Sequence, residues 1–280
     1  MSVALAIKKN RGWQAELSLT FAKRANKTAM VNSKHIGPLR VQRPFYPEDD
    51  VCHVYMLHPP GGVVGGDSLQ IDINVQQHAH ALLTTPGATK FYLSSGEFAV
   101  VEQNLNIETN ASLEWFPQEN ILFPGAKTKI NTQINLASNS RFLGWEINCL
   151  GRPVNKEIFD HGQMDSLLSI YQDQKPLLIE RQRVMKQQDL SSSAGLRNFP
   201  MNAIFIATPC TEHHLEIALN TIATLNSEIP IGVTLLDNLL VLRALGYTTE
   251  QLQKLIIPVW QALRPLITDK EAITPRIWAT

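Results

Sequence analysis

The chain has 280 residues, 44% of them hydrophobic and 18% charged, and its 25 basic side chains balance 25 acidic ones. That composition excludes intrinsic disorder and lacks the basic footprint of a nucleic-acid binder, while the length suffices for one β-rich unit with a sizeable core and no staples. A net charge of zero gives little protection against self-association, so any sticky face calls for a partner.

At the N-terminus, the apolar run Val3–Ile7 ahead of Lys8 and Lys9 is shorter than a signal-peptide core and has no small-residue cleavage site after it. No later apolar stretch reaches the length needed to cross a bilayer, so the expectation is a soluble, cytoplasmic protein with no membrane contact. Cys52, Cys149 and Cys210 are odd in number and widely spaced, with no C-x-x-C. They read as reduced, buried thiols.

Most of the first two thirds alternates with a period of two. Leu17, Leu19 and Phe21 are followed by Leu69, Ile71, Ile73 and Val75, by Leu105 and Ile107, by Leu113 and Trp115, and by Ile130, Ile134 and Leu136. Each run puts one face inward, as a half-buried strand does. Turn signals at 59–62, 86–87, 124–125 and 139–140 separate the runs. The spacing predicts a mainly β fold, a solenoid, sandwich or barrel-like body. No fixed-period repeat is visible, so a solenoid would be irregular.

Between the first runs lies His58-Pro-Pro-Gly-Gly-Val-Val-Gly-Gly-Asp67. Pro59 and Pro60 fix the way in, and Gly61, Gly62, Gly65 and Gly66 permit backbone angles closed to other residues. The segment reads as a specified turn that presents Asp67 at the start of a strand. It is no phosphate loop, because no Lys-Ser/Thr and no helix follow. His78 and His80 are two apart and could share an ion on a strand, but a solvated pair is the plainer reading. Pro86–Gly87 suits a type II turn ahead of a strand at 89–92.

Ser191–Ser193 with Gly195 predicts a flexible loop. Helical spacing follows in two places. Leu215, Ala218, Leu219, Ile222 and Leu225 predict a helix over Thr211–Asn226. Leu252, Leu255, Ile256, Val259, Leu263 and Leu266 predict another over Thr248–Ile267, capped by Thr248 with Gln251 and kinked at Pro258. Between them, Gly232–Leu236 and Leu239–Ala244 pair across Asp237–Asn238. His213 and His214 fall in a first helical turn, where adjacent residues diverge by about 100° and cannot chelate together. No zinc-site spacing and no nucleophile elbow occur. Asp67, Glu114, Glu119, Glu146 and Glu180 are acids beside apolar strand residues; Glu180 could pair with Arg181 or Arg183.

Several stretches, in order, carry a family resemblance. They are Gly37-Pro-Leu-Arg-Val-Gln-Arg-Pro-Phe-Tyr46, the 58–67 turn, 84–92, Trp115-Phe-Pro-Gln-Glu119, Phe123-Pro-Gly-Ala126, Cys149-Leu-Gly-Arg-Pro153, Leu177-Leu-Ile-Glu-Arg181 and Pro275-Arg-Ile-Trp278. Together the set resembles the UreD (UreH) family of urease accessory proteins over nearly the whole chain. Leu93 departs from it, standing where relatives commonly carry arginine.

The resemblance implies a single UreD-like domain, residues 1–280, with an irregular β-helix-like body and two C-terminal helices. It also implies a non-enzymatic scaffold that binds apo-urease and a helical accessory protein of the UreF type, which recruits a nickel-carrying GTPase of the UreG type. No cofactor would be held tightly, and nickel(II) would pass transiently. Imidazole and thiolate hold nickel firmly, so transit along separated oxygen ligands suits this chain better. Asp67 and Glu180 are the expected ligands, with Glu119 and His58 as weaker ones. Phe45, Tyr46, Leu252, Leu255 and Trp260 are candidate partner anchors, although both helices could instead cover an open sheet. Two alternatives are a carboxylate-dependent hydrolase using Asp67 and Glu180, which needs them about 5 to 9 Å apart, and a purely structural adaptor.

Overall fold

In the computed structural model, residues 12–279 are described; the Val3–Ile7 run lies outside them. β1 (Gln14–Arg24) and β2 (Lys27–Ile36) form an antiparallel hairpin, and β3 (Arg40–Val41) pairs antiparallel with β4 (Cys52–Leu57). The chain then coils. β5 (Ser68–Val75) lies in a first wall, β6 (His80–Thr84) returns in a second, and β7 (Thr89–Phe91) makes a short third face. β8 (Ala99–Ile107), β9 (Ser112–Phe116) and β10 (Asn120–Leu122) repeat that course one layer on, in parallel register. β11 (Lys127–Leu136) and the long β12 (Arg141–Arg152) make the next layer, with β12 serving both the second wall and the third face.

β13 (Glu157–Ile158) folds back on the end of β12, and the hairpin of β14 (Gln163–Gln172) and β15 (Lys175–Val184) closes the first wall. After the single-turn α1 (Gln188–Ser191) comes β16 (Met201–Thr208), which pairs with β12. Then follow α2 (Glu212–Thr224), the hairpin of β17 (Ile231–Leu236) and β18 (Leu239–Gly246), and α3 (Thr249–Thr268). The result is the predicted β-helix-like stack: a seven-stranded and an eleven-stranded sheet face each other, with two helices behind the second.

Alternation drives the stacking. Leu17, Leu19, Phe21, Ile73 and Leu105 point between the walls and are fully buried. On the outer face of the first wall, Asn106 donates to Asn74 and Asn135 donates to Asn106, an amide ladder that in-register parallel strands allow. Each layer turns from first wall to second through the same conformation. His78, Asn110 and Asn139 take φ of 63°, 58° and 57°, and the residue after each donates its amide three residues back. This is the repeat the sequence hides, because one of its three positions is a histidine where asparagine is the cheaper choice.

Two cores result. One fills the space between the walls; the other lies between the second wall and the helices, around Phe116, Trp145, Phe205 and Trp260. Here one expectation is corrected. Leu252, Leu255 and Trp260 are 0%, 1% and 0% exposed, so the apolar stripe of α3 covers the sheet and none of the three can anchor a partner. α3 continues as one helix through Pro258 and Pro265, and the Thr248 side chain accepts from the Gln251 amide at its start. The 237–238 turn is as predicted, with Asp237 at φ 52°. The 86–87 segment is instead an open bend in which Gly87 stays outside the left-handed region that a type II turn requires. The 191–195 loop begins with the helical turn α1, where Asp189 Oδ2 accepts from the amides of Met185 and Lys186.

Candidate functional site: a polar passage between the walls

The space between the walls is apolar except along one stripe. On β12, Glu146 and Asn148 face inward; Ser166 of β14 donates to Glu146 Oε1 at 3.0 Å, and Asn148 Nδ2 donates to the same oxygen at 2.9 Å. Asn120 in turn donates to Asn148 at 3.0 Å. Toward the open side, Asn202 of β16 donates to Gln182 of β15 at 2.9 Å, leaving the buried Asn202 Oδ1 without a partner. A cavity of about 550 Å³ opens there, lined by Glu146, Glu180, Gln182, Asn202 and Arg243 among others. A smaller space of about 70 Å³ lies deeper, lined by Thr85, Thr89, Gln103, Asn120, Thr132 and again Glu146. Glu146, Leu168 and Ile204 line both spaces, and Glu146 is the polar one of the three.

Protein encloses the Glu146 side chain, and the surface it retains faces these cavities. Burial pushes its carboxyl above the usual range. The Asn148 and Ser166 hydrogen bonds oppose the rise, and the Glu180 charge adds to it. No basic side chain pairs with it among the described residues. The arrangement is a carboxyl held on one oxygen by two neutral donors, with the unpartnered Asn202 Oδ1 in the lining of the outer cavity, and hard oxygens of this kind suit weak, exchangeable cation contact. Among the described residues, no group of three or more His, Cys, Asp or Glu side chains converges as a cage.

The predicted residues are distributed as follows. Glu180 lines the outer cavity, but its partner is Arg243 of β18, whose Nε lies 3.1 and 3.0 Å from the two carboxylate oxygens and whose Nη2 also bonds. Arg181 and Arg183, the partners expected from sequence, point to the other face of the first wall and share Asp165. Asp67 is engaged by backbone. Its Oδ1 accepts from the Trp13 amide at 2.8 Å and its Oδ2 from the Val64 amide at 2.9 Å. Gly66 beside it sits at φ +96°, and a Cβ on Gly62 would overlap the Tyr92 ring, so the Pro/Gly turn is held by geometry. His58 lies near Asp67; burial lowers its pKa and the Asp67 charge opposes that. Glu119 contributes its carbonyl to the Thr89 amide and lines neither cavity.

The structure does not bring Asp67 and Glu180 together. Their strands stand four places apart in the first wall, on the order of 19 Å at ~4.8 Å per strand, which removes the geometry an acid–base pair needs. Phe45 packs edge-on against Tyr55 and is half-buried. Tyr46 lies under the Lys27 ammonium, and burial against Cys52 raises its hydroxyl pKa to about 12.

A second polar cluster lies between the second wall and α3. Glu114 of β9 is fully buried and receives Trp260 Nε1 at 2.8 Å, His80 Nε2 at 2.8 Å and the Arg264 guanidinium at 2.8 to 3.0 Å. Arg264 also reaches Glu48, which bonds His53 at 2.6 Å. Burial alone would raise the Glu114 pKa, but the His80 hydrogen bond and the Arg264 charge outweigh it and bring it to about 2. His80 is therefore tied to a buried acid rather than solvated, and the left-handed turn at His78 keeps the two histidines from sharing an ion.

Comparison with known proteins places the sequence in one family. Residues 14–279 match the family described as UreD urease accessory protein. A urease accessory protein UreD of Alcanivorax borkumensis is 52% identical over 276 residues, covering 97% of this chain and 94% of the relative. Relatives of the same name from Citrobacter koseri and Klebsiella aerogenes are 46% and 43% identical, each over 96% of this chain and over 93% and 98% of their own lengths. The chain belongs to the UreD family of urease accessory proteins.

Proposed function

We propose that this protein serves urease maturation as a single-domain, non-catalytic scaffold, binding apo-urease and a helical partner of the UreF type and, through it, a nickel-carrying GTPase of the UreG type. Nickel(II) is its cargo, handed on through the passage between the walls rather than stored. The observation that supports this best is Glu146, an enclosed carboxyl that faces both cavities and is held by the neutral donors Asn148 and Ser166 instead of a basic partner. A cation entering there meets oxygen ligands that bind weakly and exchange with water. Glu180 stands at the outer end of the same route. Asp67, Glu119 and His58 fall outside it, so the transit role concentrates on Glu146 and Glu180.

Partner contact falls to surface other than the covered stripe of α3. Phe45 and Tyr46 remain half-exposed, and Leu219 and Leu266 carry exposed apolar surface on the two helices. No described helix is long and apolar enough to cross a membrane, and a cytoplasmic location is the one that fits the maturation role.

The test is reconstitution. This chain is co-purified with apo-urease and the helical partner, and nickel-dependent activation is measured for wild type, E146Q and E180Q. Retained assembly with activation well below wild type supports transit. Normal activation in both variants leaves a purely structural adaptor, and failure to bind apo-urease overturns the scaffold role.

A further inference from the structure

The passage has a mouth, and one ion pair spans it. Glu180 belongs to β15, the last strand of the first wall, and Arg243 to β18 of the second. Their contact therefore joins the two walls at the side where the cavity opens, with the guanidinium on both carboxylate oxygens. Glu146 lies immediately behind, close enough for the two acids to feel each other's charge. With Arg243 on both oxygens, a cation at Glu180 has to share the carboxylate with a group of like charge.

Resting on the transit reading above, we propose that Arg243 is the resident counter-ion of the passage, a positioning residue that keeps Glu180 closed until a divalent cation displaces it. Several features fit this role. Arginine holds a carboxylate by a planar fork and stays charged at any working pH, so the closed state is defined in the absence of metal. The pair is partly solvated, with side chains 42% and 32% exposed, and pairs of that kind are weak enough to exchange. The cavity beside the pair gives a displaced guanidinium the side-chain amides of Gln182 and Asn202, although Arg197 in the same lining adds like charge. The same exchange sets a threshold: a cation must outcompete arginine at Glu180 before it reaches the unpaired Glu146. Monovalent ions, with half the charge, fail that competition more often than divalent ones.

The test reads nickel binding as well as activation. Equilibrium dialysis of the purified full chain against nickel(II) is run for wild type, R243M, E180Q and R243M/E180Q. Removing the competing cation is expected to tighten nickel binding about fivefold in R243M, the equivalent of one exposed ion pair. R243M/E180Q is expected to lose that gain, since Glu180 is what the substitution frees. A merely structural pair would lower thermal stability without tightening nickel binding. R243K, which keeps the charge but not the fork, is expected to give a smaller gain of the same sign and serves if the methionine variant does not fold. Unchanged or weaker nickel binding in R243M and R243K, or a gain that survives in the double variant, overturns the proposal. The two readings fail separately. Normal urease activation by E146Q and E180Q removes the passage itself, whereas loss of activation in those variants with unchanged nickel binding in R243M removes only the counter-ion role.

Discussion

Glu114 and Glu146 sit on neighbouring strands of the same wall and face opposite ways. Glu114 pairs in register with Leu143 and points to the helices; Glu146, three residues further along β12, points between the walls. The first is compensated by an arginine, two histidines through the shared network and an indole donor. The second has only neutral donors and a cavity on either side. Burial is common to both, so burial alone does not mark a working acid. What separates them is whether the protein has already spent a charge on the carboxylate. A compensated acid clamps structure, and an uncompensated one beside a cavity is available to an incoming cation.

The sharpest way to break this contrast is to strip Arg264. R264M leaves Glu114 and Glu48 buried without their shared counter-ion, and should cost roughly 3–5 kcal/mol in urea unfolding. A loss below about 1 kcal/mol would mean that the cluster does not hold α3 on the sheet. Next in size is Asp67, a third acid of the structural kind. D67A leaves the Trp13 and Val64 amides unpaired and is expected to cost roughly 2–3 kcal/mol, with nickel binding unchanged; weakened nickel binding at full stability would restore it as a ligand. W260F keeps most of the packing and removes one donor from Glu114, for an expected loss of about 1 kcal/mol, measured the same way.

The smallest effect is one of sign. The Glu114 carboxyl is depressed to about 2, so its stabilisation is present above the unfolded value near 4.5 and is lost as pH falls between the two. Glu146 is raised, so the folded state holds its proton more tightly and stability declines as pH climbs through the folded value. E146Q should therefore be slightly more stable than wild type at neutral pH and equal to it below pH 4.5. A destabilised E146Q at neutral pH would place Glu146 with Glu114 after all.

Much of the fold was legible because period-two alternation and helical spacing are local. Strands at 17–21, 69–75 and 130–136, the 237–238 turn and the capped start of α3 all stand where their residues place them. The layers were not legible, because the turn that closes each one uses His78, Asn110 and Asn139, and a single asparagine in two of three turns is too little shared sequence to show a repeat. Glu180 could be read as an acid at an apolar strand, but its partner lies 63 residues away on another sheet. Of the two acids expected as ligands, Glu180 lines the outer cavity and Asp67 is held by the Trp13 and Val64 amides. The Glu114 cluster leaves one trace in the sequence. Ile256, Trp260, Arg264 and Thr268 follow at intervals of four along α3, and all are buried; a charged residue in the middle of such a row must have an opposite charge waiting beneath it. From sequence the same stripe fits a partner surface equally well, because apolar spacing shows which face is buried without showing what covers it.

The strand directions at the two ends of the first wall carry one more consequence. A coil of parallel layers is in principle an open template, since each new layer presents the same unpaired edge as the last. Here β2 at one end and β15 at the other run against the layers they cover. β2 carries Lys27 and Lys34, and β15 carries Lys175, Arg181 and Arg183. Reversed, lysine- and arginine-bearing edges resist end-to-end fibril growth. For a chain of zero net charge, whose colloidal repulsion is minimal, that local edge chemistry is what keeps the stack finite.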